Sequence, residues 1–342
     1  MRLIVNQHYQ FNPVMALPIQ PSKPARHALD GVLLLDKPLG LSSNEALVRA
    51  KRLLLAKKAG HTGTLDPLAS GLLPLCFGEA TKFSNDLLNA SKAYEATVVL
   101  GACTTTADAE GEIIQSRPVK CELKAVHEAL ARFRGEIWQI PPMYSALKRE
   151  GKPLYEYARA GLTLERAARP VTIEKLELIS CTLPVQAQTD PLAMATGTLQ
   201  IRVQCSKGTY IRVLAQDIGE ALGCGAYLGA LRRTGVGLLK LADAISLEAL
   251  TSTDHAARLA YLQPTDTLLS TYSTIQLTPA LAHRFKQGQR LPTELVSEST
   301  HSNLPVPVTA ALVRVYDETS QFLGTARLTE KILAPERLIA NQ

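Results

Sequence analysis

The 342-residue chain has few aromatic side chains, 5% with a single tryptophan, and no apolar run approaching the roughly 18 residues that a membrane-spanning helix requires. Its longest obvious run, Val32-Leu33-Leu34-Leu35, stops at Asp36, so the chain is not expected to cross a membrane. The six cysteines, Cys76, Cys103, Cys121, Cys181, Cys205 and Cys224, form no Cys-x-x-Cys pair, and several fall in apolar runs where a reduced thiol simply packs. A reducing, cytoplasmic compartment is the expectation. The histidines are dispersed without ligand spacing, which predicts no metal site. No lysine occurs between Gly60 and Gly78, which excludes a Walker phosphate loop there, and a Gly-x-Ser-x-Gly elbow is absent. Thr106 to Arg117 has the acids of a calcium loop in part, but Thr106 and Arg117 hold its first and twelfth positions. No redox-cofactor fingerprint is present, and no cofactor is expected.

What is present is enough for a packed core: 46% hydrophobic and 20% charged residues, over a length that favours about two domains. The 37 Lys and Arg exceed the 31 Asp and Glu, giving a formal +6 and a pI near 9.0. Such an excess attracts polyanions and makes nucleic acid the leading partner class, although solvated surface accounts for the charge equally well. Met1 to Gln7 has too short an apolar core for a secretory signal, and residues 1–27 read as a loosely ordered extension.

Gly31 to Leu35 reads as a buried strand ended by the turn Asp36-Lys37-Pro38-Leu39-Gly40. A helix should follow, with Ser42 and Glu45 at capping-box spacing, Gly60 as its C-cap and Arg49, Lys51, Arg52, Lys57 and Lys58 on its outer face. Strands are expected at 94–100, 171–180 and 199–205, with a long hairpin loop near 184–197 and a helix over 123–133. Towards the C-terminus, 312–316 and 322–328 flank a polar turn, the pattern of a β-hairpin. The irregular interleaving predicts an α+β protein rather than regular βαβ winding.

One loop stands out. Gly60 to Pro74 sets a single acid, Asp66, among Gly, Thr, Leu and Pro with no other charged side chain except His61 when protonated. A working carboxylate needs such surroundings. Asp-Pro is also a routine turn initiator, and the loop alone leaves both readings open.

Taken with Ser42-Ser43-Asn44, Gly78-Glu79-Ala80-Thr81-Lys82, Lys92-Ala93-Tyr94, Ile140 to Lys148, Tyr155 to Arg159, Cys205 to Arg212 and Leu231-Arg232-Arg233, the loop closely resembles the TruB-type tRNA pseudouridine synthases. The blocks run in family order over about residues 28–240. The resemblance implies isomerisation of uridine 55 in the T loop of tRNA, with Asp66 as the catalytic residue and no cofactor. It implies that Arg212 pairs with Asp66, an opposite charge favouring the ionised carboxylate. Tyr94 matches the family tyrosine that stacks on the flipped base, and Leu231 an apolar wall. His61 matches the residue that fills the space the base vacates. Tyr210, two residues before Arg212, would share a strand face with it. Lys37 is read as pocket support, a phosphate contact or a solvated turn residue, and Asp108 as an organiser of the 104–111 loop.

The resemblance further implies a pseudouridine synthase fold, with a central mixed, largely antiparallel sheet flanked by helices over residues 28–270. A small β-rich, PUA-like RNA-binding domain is expected over 271–342. The expected partner is the tRNA T stem-loop, bound by a monomer. A non-catalytic RNA-binding or RNA-folding protein would share the basic face but leave uridine unmodified.

Overall fold

The computed structural model describes residues 25–184, 196–300 and 310–340. Residues 1–24, and with them most of the expected N-terminal extension, lie outside the described residues, as does most of the loop read at 184–197. His27 is described and bridges Ala56.

The apolar run at the start of the chain becomes the strand Gly31–Lys37, and its alternation shows why it is apolar throughout. Leu33 and Leu35 enter one core cluster with Leu73, Leu75 and Phe77, whereas Val32 and Leu34 enter another with Leu72, Cys76 and Phe83. Both faces are covered. Farther across the sheet, the strand Gly197–Cys205 alternates strictly: Leu199, Ile201 and Val203 are buried, and Gln200, Arg202 and Gln204 are exposed. The helices Leu123–Arg132 and Ile211–Ala221 cover its apolar face through Val126, Leu130, Ile211, Leu214 and Ile218.

Among the described residues these strands belong to one ten-stranded sheet. From one edge the order is Ile245–Ser246, Gly31–Lys37, Ala69–Phe77, Ala226–Val236, Lys92–Leu100, Gly197–Cys205, Arg169–Thr182 and Gly135–Gln139, with two short strands attached beside this path. Only the pairings of Gly31–Lys37 with Ile245–Ser246 and of Ala69–Phe77 with Ala226–Val236 are parallel. The sheet is therefore mixed and largely antiparallel, as expected.

A second sheet of five strands, Ser273–Gln276, Ala311–Tyr316, Phe322–Leu328, Ile332–Leu338 and Leu291–Pro292 in that order, carries its own core of Ile275, Phe285, Val313, Val315 and Leu333. The C-terminal hairpin is part of it. Its junction with the larger sheet is apolar and ionic together: Phe83 packs on Phe322 with centroids 5.6 Å apart, while Asp86 receives Arg337 and Asp266 receives Arg314 at 3.1 Å.

Two local expectations are corrected. The first helix begins at its capping box, Ser42 Oγ accepting from the Glu45 amide at 3.2 Å, but it spans only Ser43–Leu53. Leu55 turns the chain at φ 52°, and Ala59–His61, including the proposed cap Gly60, pairs as a strand with Leu75–Phe77. Lys57 and Lys58 thus lie beyond the helix. Burial of Leu54 and Ala56 and the hydrogen bonds offered by the neighbouring strand end the helix earlier than its local pattern suggests.

The second correction concerns Tyr210 and Arg212, which do not share a strand face. The strand ends at Cys205; Tyr210 is the N-cap of the helix Ile211–Ala221, and Arg212 lies in its first turn.

Candidate active site

Asp66 sits in the irregular segment between the strands Ala59–His61 and Ala69–Phe77. Its main chain is tied on both sides: Asp66 C=O accepts from the Ala69 amide at 3.0 Å, and Pro67 C=O from the Gly40 amide at 2.9 Å. The carboxylate is 46% exposed, wetter than the apolar sequence around it suggests. One flank is occupied by Arg212, whose Nη2 lies 3.0 Å from Asp66 Oδ2.

Arg212 is itself only 7% exposed, and the surroundings account for its charge. Nη2 donates to the Tyr144 carbonyl at 2.7 Å, Nη1 to the Thr106 carbonyl at 3.4 Å, and Nε lies 3.5 Å from the buried Asp108 carboxylate. Two acids and two carbonyls thus converge on one guanidinium, the arrangement that lets arginine be buried in a fixed orientation. Asp108 does organise its loop, accepting from Thr106 Oγ1 and the Glu110 amide. Its ion pair with Arg212 is an additional role that the local sequence does not reveal.

The sheet supplies the next side chains. In the strand Ala226–Val236, Leu231 and Arg233 point to one face, Leu231 opposite Ala69 and Ala96, Arg233 opposite Gly71 and Tyr94. Tyr94 and Leu231 are half-buried and pack against both large core clusters, at the seam between them. Burial raises the Tyr94 hydroxyl above the usual tyrosine range, with Arg233 opposing. Tyr210 is similarly raised, first by burial, while Ser145 opposes the rise. Both phenols feel the Asp66 charge.

His61, at the end of its short strand, is half-buried, and burial lowers its pKa, with a small push the same way from Arg233. Of the six side chains singled out in the sequence, Asp66 and Arg212 are in direct ionic contact, Tyr94 and Tyr210 feel the Asp66 charge, Leu231 stands opposite Ala69 on the neighbouring strand, and His61 lies towards Gly63 and Arg233.

Two cations were underweighted. Lys37, at 0% exposure, donates from Nζ to the carbonyls of Pro38, at 2.9 Å, and Leu41. Burial lowers its pKa to about 8 against the pull of Asp66, so Lys37 is not a solvated turn residue. Arg233, at 1% exposure, donates from Nε to the Leu72 carbonyl at 2.7 Å and has no partner for Nη2 among the described residues. Its i, i+2 spacing from Leu231 was the available sequence signal. Thr62 Oγ1 is also buried without a hydrogen-bond partner among the described residues. An orphan of this kind costs about 1–3 kcal/mol. Among the described residues no group of three or more His, Cys, Asp or Glu side chains is placed to hold a metal ion.

Comparison with known proteins agrees with this geometry. Three family models match consecutive stretches: TruB family pseudouridylate synthase (N terminal domain) over residues 51–211, tRNA pseudouridylate synthase B C-terminal domain over 212–270, and pseudouridine synthase II TruB, C-terminal, over 273–339. A tRNA pseudouridine synthase B from Burkholderia lata is 59% identical over 96% of this chain and 95% of its own. That of Burkholderia mallei is 61% identical over 92% and 98%, and that of Cupriavidus metallidurans 58% identical over 94% and 97%. Among solved structures, one chain of a Cbf5-Nop10-Gar1 complex aligns with a TM-score of 0.65 at 24% identity, covering 94% of this chain and 90% of that one. One from an archaeal box H/ACA sRNP Nop10-Cbf5 complex aligns with a TM-score of 0.64 at 22% identity, covering 91% and 86%. These two establish the pseudouridine synthase fold. With relatives about three-fifths identical along nearly its whole length, the chain belongs to the TruB family of pseudouridylate synthases and is an isomerase.

Proposed function

We propose that the protein converts uridine 55 in the T loop of tRNA to pseudouridine, with Asp66 as the catalytic carboxylate. The observation that carries this reading is the Asp66–Arg212 contact at 3.0 Å, with the hydroxyls of Tyr94 and Tyr210 within reach of the Asp66 charge. The naming of the curated relatives as tRNA pseudouridine synthase B supports tRNA as the substrate.

The reaction breaks the C1′–N1 bond, turns the uracil and joins C1′ to C5. C5 loses a proton and N1 gains one, so the product is an isomer and no cosubstrate is consumed. Asp66 serves the first step in its ionised form, whether it attacks the ribose or base or takes the C2′ proton. Arg212 holds the carboxylate in place, its Nη2 3.0 Å from Asp66 Oδ2.

A base inside a folded loop must leave its stack before Asp66 can reach it, at a cost of roughly a few kcal/mol. Stacking on Tyr94, a contact type worth about 1–3 kcal/mol, offsets it. Leu231 and Tyr210 bound the base, and His61 stacks in the space it vacates. The buried orphans Thr62 Oγ1 and Arg233 Nη2 support a pocket whose hydrogen bonding is completed by substrate. In this reading residues 28–270 form the catalytic domain, the sheet after residue 271 is a PUA-like RNA grip, and the enzyme works as a cytoplasmic monomer. Sedimentation as a stable dimer would overturn the last point.

The test is Asp66→Asn, incubated with a T stem-loop transcript and assayed with a reagent that marks pseudouridine. Binding without turnover supports the reading. Undiminished turnover refutes it, and wild-type protein that binds but never modifies the RNA would establish the non-catalytic alternative.

A further inference from the structure

We propose that Ser43 and Gln139 are positioning residues that set the Asp66–Arg212 pair, each by gripping both main-chain groups of a residue one or two positions before a member of that pair. The inference rests on the reading of Asp66 and Arg212 given above.

Ser43 opens the helix Ser43–Leu53 and is 1% exposed. Its hydroxyl accepts from the Leu65 amide at 2.8 Å and donates to the Leu65 carbonyl at 3.0 Å. Leu65 immediately precedes Asp66, in a segment without ladder hydrogen bonds of its own. A single hydroxyl therefore satisfies both polar groups of that residue and fixes where the next Cα begins. With the anchors on Asp66 C=O and Pro67 C=O, three successive residues are tied.

Gln139 is the last residue of the edge strand Gly135–Gln139 and is 2% exposed. Its Oε1 accepts from the Tyr210 amide at 3.0 Å, and its Nε2 donates to the Tyr210 carbonyl at 3.3 Å. The side-chain amide thus imitates one rung of a β-ladder. It holds the N-cap of a helix that has no side-chain cap of its own, two residues before Arg212. Five residues after Gln139, the Tyr144 carbonyl receives the Arg212 guanidinium at 2.7 Å. One short segment therefore grips both the root of the helix and the tip of the arginine.

The two devices serve the two halves of one contact. Asp66 and Arg212 lie on separate segments, and a displacement of about 1 Å at a reacting group can cost about 10²-fold in rate. Burying a hydroxyl and an amide so completely is tolerable only because each is fully paired.

The experiment uses the full chain and a T stem-loop RNA carrying tritium at C5 of the target uridine, since joining C1′ to C5 releases that label. Ser43→Ala, Ser43→Thr, Gln139→Met and the double variant Ser43→Ala/Gln139→Met are compared for single-turnover rate, RNA affinity and melting temperature. Ser43→Ala and Gln139→Met should each lose about 10- to 100-fold in rate with RNA affinity changed less than about twofold. Ser43→Thr, which keeps the hydroxyl, should restore most of the rate. The double variant should lose less than the product of the single losses, because both act on one distance. Should Ser43→Ala fail to fold, Ser43→Cys, similar in size but a weak hydrogen-bonding group, carries the same readout.

Rates within about twofold of wild type in folded Ser43→Ala and Gln139→Met would overturn the proposal, as would losses that only track the unfolded fraction. Asp66→Asn is run alongside. If it remains active, the reading of the site fails; if it is inactive while both positioning variants are fully active, the positioning proposal alone fails.

Discussion

Gly71 and Arg233 face each other across parallel strands so closely that a Cβ on Gly71 would lie 2.3 Å from the Arg233 carbonyl oxygen. Gly71 also has φ +101°, a conformation that side-chain-bearing residues rarely adopt. The approach carries the buried guanidinium of Arg233 into the region of Gly63, Tyr94 and His61.

Gly71→Ala should therefore be destabilising by more than about 3 kcal/mol, through strain and clash together. Denaturant unfolding measures this, and a change below about 1 kcal/mol would show that the two strands can part without cost.

Asp66→Asn and Arg212→Met should separate activity from stability. Removing Arg212 leaves Asp108, 3% exposed, without its cation, and should cost about 3–5 kcal/mol as well as activity. Asp66 is half exposed, and Asp66→Asn leaves Arg212 with Asp108, Tyr144 and Thr106, so its stability change should stay within about 1 kcal/mol. Thermal melts of the two variants beside turnover assays check both halves.

Lys37 should make stability depend on pH in the alkaline range. Its pKa falls from 10.5 to about 8 on folding because the ammonium loses water. Between those values the unfolded chain holds a proton that the folded chain has released, so stability rises with pH across that window. The rise is at most about 3 kcal/mol. Lys92 shares the behaviour, so the measurement is the difference between wild type and Lys37→Met. Equal slopes from pH 8 to 10.5 would count against a buried Lys37 ammonium.

His61 should act through its ring rather than its charge, because burial lowers its pKa, against a hydrogen bond with Gly63, and so disfavours the imidazolium. His61→Phe should keep most of the activity, and His61→Ala should lose roughly tenfold or more, about the worth of one base-stacking contact. Equal losses in turnover assays of the two variants would point to a polar role for the imidazole.

The features legible in the sequence were those decided locally or by sheet periodicity. Ser42 and Glu45 are three residues apart, and their reciprocal cap needs nothing from elsewhere. The strand at Lys92–Leu100 and the alternation of Gly197–Cys205 follow from one-sided or two-sided burial. Where distant chain intervenes, local pattern misleads. Gly60 looks like a helix stop, yet it pairs with Cys76 in a ladder. Tyr210-Ile211-Arg212 alternates like a strand, yet Gln139, 71 residues away in sequence, pins the cap that starts a helix there. The Asp66 loop was conspicuous, but the partner that gives its acid an electrostatic setting lies on another element, and only the order of the family blocks joined the two. Arg233 escaped notice because a buried arginine without a carboxylate partner shows locally only as an i, i+2 spacing from Leu231.

The strand that opens the larger sheet also fixes what can be removed from this molecule. Val32 and Leu34 share a core cluster with Leu268 and Leu269, and Phe322 and Ile339 from the C-terminal sheet pack against that same cluster. Arg337 and Arg314 close over its edge onto Asp86 and Asp266. A chain cut near residue 270 would lose no detachable appendage; it would uncover the outer face of the strand whose end carries Lys37. Damage far out on the C-terminal sheet would thus reach the Asp66 region as loss of fold, over and above any loss of RNA contact.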